Sequence, residues 1–460
     1  MPNDPVPGLL SRATEALEAE FAALPDFEPA LERAADTAAM ARVLELTAYR
    51  LGDNYPYFHP LYAGQMLKPP HPLARAAYAL AMKINPNNHA RDGGRASSEM
   101  EIEAVAGIAG MFGWTKFLGH LTSSGTLANL EALWVAGQLV PGRRIVGSEQ
   151  AHYTHARVSA VLKLEYAEIA TDDCGRMSLE SLEAELRKGD VGAVVVTLGT
   201  TAAGAVDPLD EVLRLKERYG FRVHVDAAYG GYFRLIPEAL EEPARRAYAA
   251  ISEADSIAID PHKHGLQPYG CGCVLFRDPA VGRFYKHDSP YTYFTSKEMH
   301  LGEISLECSR AGASAVALWA TQQLLPLVPG GEFARGLARG RAAAVELDRR
   351  LRQDKKARFQ TLTAGAPELD IVVWKMNAET PQRASGLAQR VFVACSTRDL
   401  HLALVELPLR WFQPTVGSEL AKSADTITCL RSVLMKPEHE VWLDSIWERL
   451  TAAYAEVMGE

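Results

Sequence analysis

The middle of the chain, from about residue 100 to 330, alternates helical patterns with short apolar runs bounded by turn residues. The strand-like runs are "RIVGS", "GAVVVTLG", "FRVHVDAA", "SIAID" and "CVLFRD". Between them, stretches such as "GTLANLEALWVAG" and "LDEVLRLKERYG" space their apolar residues as a helix does. Strands that alternate with helices form a mostly parallel, twisted sheet covered on both faces. The sequence therefore predicts a large α/β domain here.

The two ends of the chain have different patterns. "LLSRATEALEAEFAAL" predicts helix near the start, and the proline-rich stretch from Asn54 to Leu73 interrupts helical continuity. After about residue 330, charged helices flank the weaker strand candidates "LDIVVWKM" and "TITCLRSVL". We predict an N-terminal helical segment over residues 1–60, a large domain over 61–328 and a smaller C-terminal α+β domain over 329–460.

Charge and composition exclude several classes of partner. The net charge is −9, from 48 Lys and Arg against 57 Asp and Glu, which disfavours nucleic acid and anionic membranes. The uncharged tract over residues 311–331 is interrupted by glutamines, a proline and glycines, so we expect no membrane span. The start lacks a signal-peptide pattern, and six scattered cysteines suit a reducing compartment. We expect a cytoplasmic protein.

A hydroxyl- and glycine-rich turn precedes the helix in "HLTSSGTLANLEALWVA". Ser124, Gly125 and Thr126 lie where a strand gives way to a helix. Free backbone N–H groups and the positive end of the helix dipole make such a turn a good phosphate site. Simple N-capping by Ser124 or Thr126 explains the same residues without a ligand.

Two charged residues follow other strands. Asp226 ends the apolar run of "FRVHVDAAYGG" and either caps the next turn or is a buried carboxylate that keeps a ring nitrogen protonated. Lys263 follows "SIAIDPH", and lysine is rarely buried without a partner or a chemical role. A desolvated lysine amine can form a Schiff base. A phosphate site, a carboxylate for a pyridinium and a lysine for an aldehyde together indicate pyridoxal 5'-phosphate.

A zinc site is the competing interpretation of the same stretch. His262, His264, Cys271 and Cys273 are possible zinc ligands, but the two cysteines lack a second paired cluster at zinc-site spacing. Small buried cysteines pack well in a strand, so we predict no metal.

With these motifs in place, the chain resembles the group II pyridoxal-phosphate-dependent decarboxylases, which act on aromatic amino acids, tyrosine, histidine and glutamate. The resemblance extends from about Pro60 to Trp319 and more weakly through "CLRSVLMKP". It implies a type I aminotransferase-like fold with a mostly parallel seven-stranded central sheet. It also implies decarboxylation of an L-amino acid to an amine and CO2, and a homodimer with the active site at the subunit interface.

The resemblance assigns roles to individual residues. Lys263 would form the Schiff base, Asp226 would pair with the pyridine nitrogen, His152 would stack on the cofactor ring, and Ala228 would pack on its opposite face. Thr201 would contact the ring. The phosphate would be held by Ser124, Gly125, Thr126 and His262. Asp260 is left unassigned, because some family members have Asn there and an acidic side chain would repel a phosphate.

The same resemblance suggests two residues that act on the substrate. Arg310 in "LECSRAGASAVALW" would receive the α-carboxylate, since a surface arginine explains poorly why a charge begins an uncharged helix. Tyr291 or Tyr293 in "HDSPYTYFTSKE" would lie on a mobile loop and protonate the carbanion carbon, and the sequence leaves open which of the two does so.

The substrate itself is less constrained. Arg91 and Arg95 could favour glutamate or aspartate, whereas His89 and the aromatic residues Tyr55, Tyr57 and Phe58 could line a pocket for an aromatic side chain. We favour a tyrosine-like substrate, with an acidic amino acid as the alternative. Rival activities are carbon–carbon lysis, aldehyde synthesis and non-catalytic cofactor binding; retention of Lys263, Asp226 and His152 together disfavours the last.

Overall fold

A seven-stranded sheet forms the centre of the computed structural model, which describes residues 4–28, 36–286, 305–362, 365–412 and 426–459. The strand order is β1-β7-β6-β5-β4-β2-β3, and only β7 runs antiparallel to its neighbours. The predicted mostly parallel sheet is therefore confirmed. Its strands are β1 (Leu118–Thr122), β2 (Arg144–Ser148), β3 (Tyr166–Ile169), β4 (Val191–Thr197), β5 (Arg222–Asp226), β6 (Ser256–Ile259) and β7 (Gly272–Phe276).

The inner strands are buried on both faces, which is why they read as continuous apolar runs. Every residue of β4, "VGAVVVT", is buried, and so is every residue of β6 and β7. The edge strand β3 is different, because "YAEI" is short and largely half-exposed. The sequence pattern gives no strand signal for β3.

Helices cover this sheet. α8 shows the expected end signals, with acidic residues in its first turn, Lys216 and Arg218 in its last, and a left-handed Gly220 at its C-cap. Gly220 has φ of +72°, a conformation that glycine adopts without strain. The helices here are α4 (Arg95–Met111), α5 (Gly125–Leu139), α6 (Thr154–Val161), α7 (Leu179–Leu186), α8 (Leu209–Tyr219), α9 (Ala244–Ala249) and α10 (Gly312–Leu324).

A second, antiparallel sheet of four strands follows, in the order β10-β11-β9-β8. It has its own apolar core against three helices, as expected for an α+β unit. The strands are β8 (Phe359–Thr361), β9 (Ile371–Met376), β10 (Ala403–Pro408) and β11 (Thr426–Val433); the helices are α11 (Glu332–Arg352), α12 (Pro381–Ser396) and α13 (His439–Met458).

Three helices precede the large sheet: α1 (Val6–Glu20), α2 (Thr37–Leu51) and α3 (Pro72–Met82). The expected N-terminal helical segment is present, and neither α1 nor α2 has a buried residue. Ion pairs of Asp4 with Arg75 and of Glu18 with Lys83 connect α1 and its leading residues to α3. The domain limits after residues 60 and 328 remain predictions. No helix in the described part of the chain has the length and apolarity needed to cross a bilayer.

Candidate active site

A cavity of about 200 Å³ opens where β4, β5 and β6 end and α5 begins. Carboxyl ends of parallel strands meet at one edge of a sheet, and ligands of open α/β sheets bind there. All nine residues predicted to hold the cofactor line this cavity, although their individual roles remain predictions. They are Ser124, Gly125, Thr126, His152, Thr201, Asp226, Ala228, His262 and Lys263.

The start of α5 forms one wall of the cavity. Ser124 caps the helix, since its Oγ accepts a hydrogen bond from the Leu127 N–H at 3.4 Å. A Cβ at Gly125 would lie 2.7 Å from both carboxylate oxygens of Asp260, so the close approach requires glycine. Thr126 Oγ1 lies 3.3 Å from Thr154 Oγ1. The same turn therefore both caps α5 and lines the cavity.

Asp226 is buried at the end of β5 and bonded on both oxygens. Its Oδ2 accepts a hydrogen bond from His155 Nε2 at 2.8 Å, and its Oδ1 accepts one from the Ala228 N–H at 3.1 Å. Burial favours the neutral acid, but the hydrogen bond from His155 and the charges of His155 and Lys263 outweigh it. The pKa of Asp226 consequently lies well below its usual range, and the carboxylate is ionised at neutral pH.

His155 is a residue next to the site that the sequence analysis missed. It lies in α6, its side chain is fully buried, and its Nδ1 has no hydrogen-bond partner among the described residues. The only sequence signal was its spacing, one helical turn after His152 in "HYTH". The partner of Asp226 is therefore supplied by the helix that follows His152.

Lys263 projects from the loop after β6. Its Nζ lies 3.1 Å from Asp260 Oδ2, and its side chain keeps about a quarter of its surface exposed. His262 Nε2 lies 3.5 Å from the same oxygen. Asp260 Oδ1 is buried without a hydrogen-bond partner among the described residues. Asp260, which the sequence analysis left unassigned, thus holds the lysine amine inside the cavity.

The two histidines of the cavity are neutral. Burial lowers the pKa of His152 and of His262 below the ordinary value, although nearby carboxylates act in the opposite direction. The Thr154 N–H donates to His152 Nδ1 at 3.3 Å. Because Nδ1 accepts this bond, the single proton of the neutral ring lies on Nε2.

The structure does not bring Arg310 to the cavity. Its guanidinium is paired with the buried Glu101 and donates to the carbonyl oxygens of Leu121 and Asn88. With these partners it joins α4 to β1, so the predicted role in binding the substrate carboxylate does not fit this geometry. Tyr291 and Tyr293 lie outside the described residues.

Arg431 is a cation that the sequence analysis did not single out. It is buried in β11, its Nη2 donates to Gln65 Oε1 at 3.0 Å, and its Nε has no partner among the described residues. No carboxylate of the described chain lies within ion-pair distance of Arg431. Its charge acts on Tyr229, which lines the cavity.

The residues proposed for substrate selection and for metal binding occupy other environments. Tyr55 and Tyr57 pack in an aromatic cluster with Tyr62 and His401. Arg91 forms an ion pair with Glu99. Cys271 and Cys273 are buried free thiols, and no metal-binding group of three His, Cys, Asp or Glu side chains occurs among the described residues.

These residues fit pyridoxal phosphate. The start of α5, an ionised buried carboxylate and a lysine amine line one cavity, as the phosphate, ring nitrogen and aldehyde of that cofactor require. Together with the sheet topology, they define a pyridoxal-phosphate-binding protein of the type I fold.

Comparisons with known proteins identify the family within this class. Residues 134–328 match the model of the pyridoxal-dependent decarboxylase conserved domain. The chain is 31% identical over 326 residues to a probable L-tyrosine/L-aspartate decarboxylase of Methanothermobacter thermautotrophicus, covering 69% of this chain and 84% of that protein. It is 29% identical over 389 residues to an L-tyrosine decarboxylase of Enterococcus faecium, covering 63% of this chain and 64% of that enzyme.

A solved structure has the same fold as this chain. The crystal structure of Oryza sativa TDC with PLP and tryptamine superimposes with a TM-score of 0.77 at 18% identity, covering 100% of this chain and 99% of that one. The chain belongs to the pyridoxal-dependent decarboxylase family. It spans just under two thirds of the length of the Enterococcus enzyme.

Proposed function

We propose that this protein is a pyridoxal-phosphate-dependent decarboxylase that converts an L-amino acid to the corresponding amine and CO2. The observation that carries the proposal is the pairing of an ionised Asp226 with Lys263 in one cavity of a chain from this family. A carbon–carbon lyase or an aldehyde synthase of the same superfamily would use the same two residues, and the experiment below separates them by product.

The cofactor, when bound, supplies an electron-withdrawing ring that accepts the electron pair left by CO2. Lys263 would hold its aldehyde, Asp226 would face its ring nitrogen, and the α5 start with His262 would hold its phosphate. Asp226 stays ionised at neutral pH, so it could accept a hydrogen bond from a protonated ring nitrogen of the bound cofactor. His152 carries its proton on Nε2 and can donate it toward the substrate.

Arg431 is the better candidate for the substrate carboxylate. Arg310 already has a buried carboxylate partner in Glu101, whereas among the described side chains Arg431 has only the neutral Gln65 as a partner. A buried guanidinium without an anion is costly, and an incoming carboxylate would satisfy it. Binding there would bring the substrate beside Tyr229, at the wall of the cofactor cavity.

A tyrosine-like substrate is our first choice. The names of both relatives include tyrosine, and Tyr269 beside His262 gives the cavity an aromatic neighbour, with ring centroids 4.7 Å apart. Aspartate is the alternative, since one of those names includes it. The ion pair of Arg91 with Glu99 weakens the argument for an acidic substrate.

We further propose a cytoplasmic homodimer. Five apolar side chains of α2 are each at least 60% exposed, which is unusual for a surface that stays in water. Pairing across a two-fold axis would cover such a surface. They are Val43, Leu44, Leu46, Tyr49 and Leu51.

The test is a product assay on the purified full chain with pyridoxal phosphate. L-tyrosine, L-aspartate and L-glutamate are offered separately, and amine, CO2, aldehyde and peroxide are quantified. We expect amine and CO2 in equal amounts from L-tyrosine; bound cofactor without CO2 from any amino acid would refute the proposal. Lys263→Ala should abolish CO2 release and the visible absorption of bound cofactor, while Lys116→Ala, at an exposed lysine, should change neither.

A further inference from the structure

A second cavity, of about 590 Å³, shares none of its lining residues with the cofactor cavity. This volume falls within the range of small-molecule sites. Two lysines that the proposed chemistry does not use, Lys68 and Lys436, lie in its wall. The feature to explain is therefore a ligand-sized cavity lined by two unused amines.

Neither lysine has a carboxylate within 4 Å in the described ranges. Lys436 is almost fully buried, and its Nζ donates to the Tyr62 carbonyl oxygen at 2.6 Å. Lys68 Nζ donates to the Met435 carbonyl oxygen at 3.4 Å. Each amine thus has a neutral acceptor and no described carboxylate within 4 Å, although the more distant carboxylate of Glu438 acts on both.

The lack of a nearby anion affects the pKa values of both lysines. Burial lowers the pKa of Lys68 to about 8 and that of Lys436 to about 7, and the charge of Lys68 further lowers the pKa of Lys436. An anion between the two amines would remove this penalty, because opposite charge favours the protonated form.

The other charges of the wall leave it with a net positive charge. Arg335 and Arg339 line the cavity along with Glu332 and Glu438, so cationic side chains outnumber carboxylates four to two. Arg339 is paired with Glu440, which lies outside the lining. With that pair set aside, three cations of the wall remain against two carboxylates, and Glu438 offsets only part of the penalty on the two lysines.

Apart from His71 and His264, the rest of the wall is largely apolar. Phe58, Leu266, Phe333 and Leu337 line the cavity together with several prolines. Such a surface binds the hydrocarbon part of a ligand whose anionic group meets the lysines. The occupant that fits is a small organic anion with an apolar body.

We propose that this cavity is a second ligand site, which binds a carboxylate or phosphate ester with an apolar body between Lys68 and Lys436. The wall includes His264 and Leu266 from the loop that carries Lys263. The Leu266 carbonyl oxygen accepts the His71 N–H at 2.9 Å, which ties this loop to the proline-rich segment of the wall. A ligand here therefore touches the loop that forms the cofactor cavity.

Calorimetric titration of the full-length holoenzyme tests the site. The probes are phenyl phosphate, inorganic phosphate and phenol, which separate the anionic group from the apolar body. We expect saturable binding of phenyl phosphate, tighter than that of either fragment. Lys68→Met should weaken it about 10- to 100-fold, the range for loss of one charged hydrogen bond. Lys116→Met is the matched control and should bind as wild type does.

Two results would overturn the proposal. The first is absence of saturable phenyl phosphate binding to the holoenzyme. The second is binding that neither Lys68→Met nor Lys436→Met weakens, which would place the probe in the substrate site instead. Thermal unfolding of both variants identifies any loss that comes from misfolding, and Lys68, which is less buried than Lys436, serves as the safer substitution. Binding is read without turnover, so failure of the proposed decarboxylation leaves this result interpretable.

Discussion

Two buried aspartates beside neighbouring strands of the large sheet have opposite protonation behaviour. Asp226 ends β5 and pairs in register with Thr197 of β4. Asp207 is equally inaccessible, and its Oδ2 accepts the Thr197 N–H at 2.8 Å. The pKa of Asp226 lies well below its usual range, whereas burial raises the pKa of Asp207 to about 7.

The difference comes from the partners and not from the depth of burial. Asp226 has a hydrogen bond from His155 and a favourable interaction with the charge of Lys263. Asp207 has two backbone N–H donors, from Met177 and Thr197, and no ion-pair partner in the described part of the chain to offset its desolvation. One carboxylate is therefore kept charged at the wall of the cavity, while the other connects backbone segments.

Asp226→Asn is expected to have the largest effect on kcat of the substitutions that test this comparison. Asparagine has nearly the same shape but cannot keep a ring nitrogen protonated. We expect kcat to fall by about 10²- to 10⁴-fold, the range for loss of one group that stabilises charge in the transition state. Steady-state turnover at saturating cofactor measures it.

Asp207→Asn is the matched control for that substitution. It removes an equally buried carboxylate outside the cavity lining, so kcat should stay within a few-fold of wild type. Equal losses of kcat in the two variants would show that burial, and not the contact with the cofactor, sets the effect. Normal turnover by Asp226→Asn would contradict the assigned role.

Much of this site was predictable because its residues lie next to local signals. Asp226 and Lys263 each follow an apolar run, and Ser124 and Gly125 precede a helical one. Parallel strands that end at one edge bring such residues together, and the family resemblance identified the ligand they suit. The sheet itself followed from the same apolar runs, except at the short, half-exposed β3.

The rest depended on contacts between distant parts of the chain. Arg310 seemed unexplained at the start of an uncharged helix, because its partner Glu101 lies 209 residues earlier. The environment of Arg431 likewise depends on Gln65, 366 residues away. His155 had only its spacing from His152 as a signal, and a buried histidine next to a carboxylate cannot be distinguished from a packed one by composition.

Substitution of His155 tests how Asp226 acquires its low pKa. His155→Leu removes the hydrogen bond and the charge that lower this pKa, so the pKa of Asp226 should rise. The acid limb of the kcat profile should move to higher pH, and kcat at its optimum should fall about 10-fold, which corresponds to the loss of one hydrogen bond to a charged group. Rates across a range of pH provide the measurement.

His155→Gln is the conservative comparison, because its side-chain amide can donate to Asp226 Oδ2. It should recover part of the rate and return the acid limb toward that of wild type. His155 would then act as a positioning residue for Asp226. If His155→Leu lowers stability but leaves the acid limb unmoved, the histidine only packs the core.

Substitution of Asp207 has the smallest expected effect on kcat, and its prediction concerns stability alone. The folded state holds a proton on Asp207 up to about pH 7, whereas an unfolded aspartate loses it near pH 4. The folded state therefore binds more protons between these values, and stability falls as pH rises through this window. The full cost at pH 8 is about 4 kcal/mol as an upper bound, from 1.36 kcal/mol per pKa unit.

Asp207→Asn cannot titrate, so its stability relative to wild type should improve as pH rises from 5 to 8. Urea unfolding midpoints of both proteins, measured at each pH, give this difference. Asp173→Asn, at an exposed aspartate, should show a constant difference over the same range. A constant difference for Asp207→Asn as well would mean that its two backbone donors stabilise the charged form as effectively as His155 does for Asp226, and the contrast between the two carboxylates would disappear.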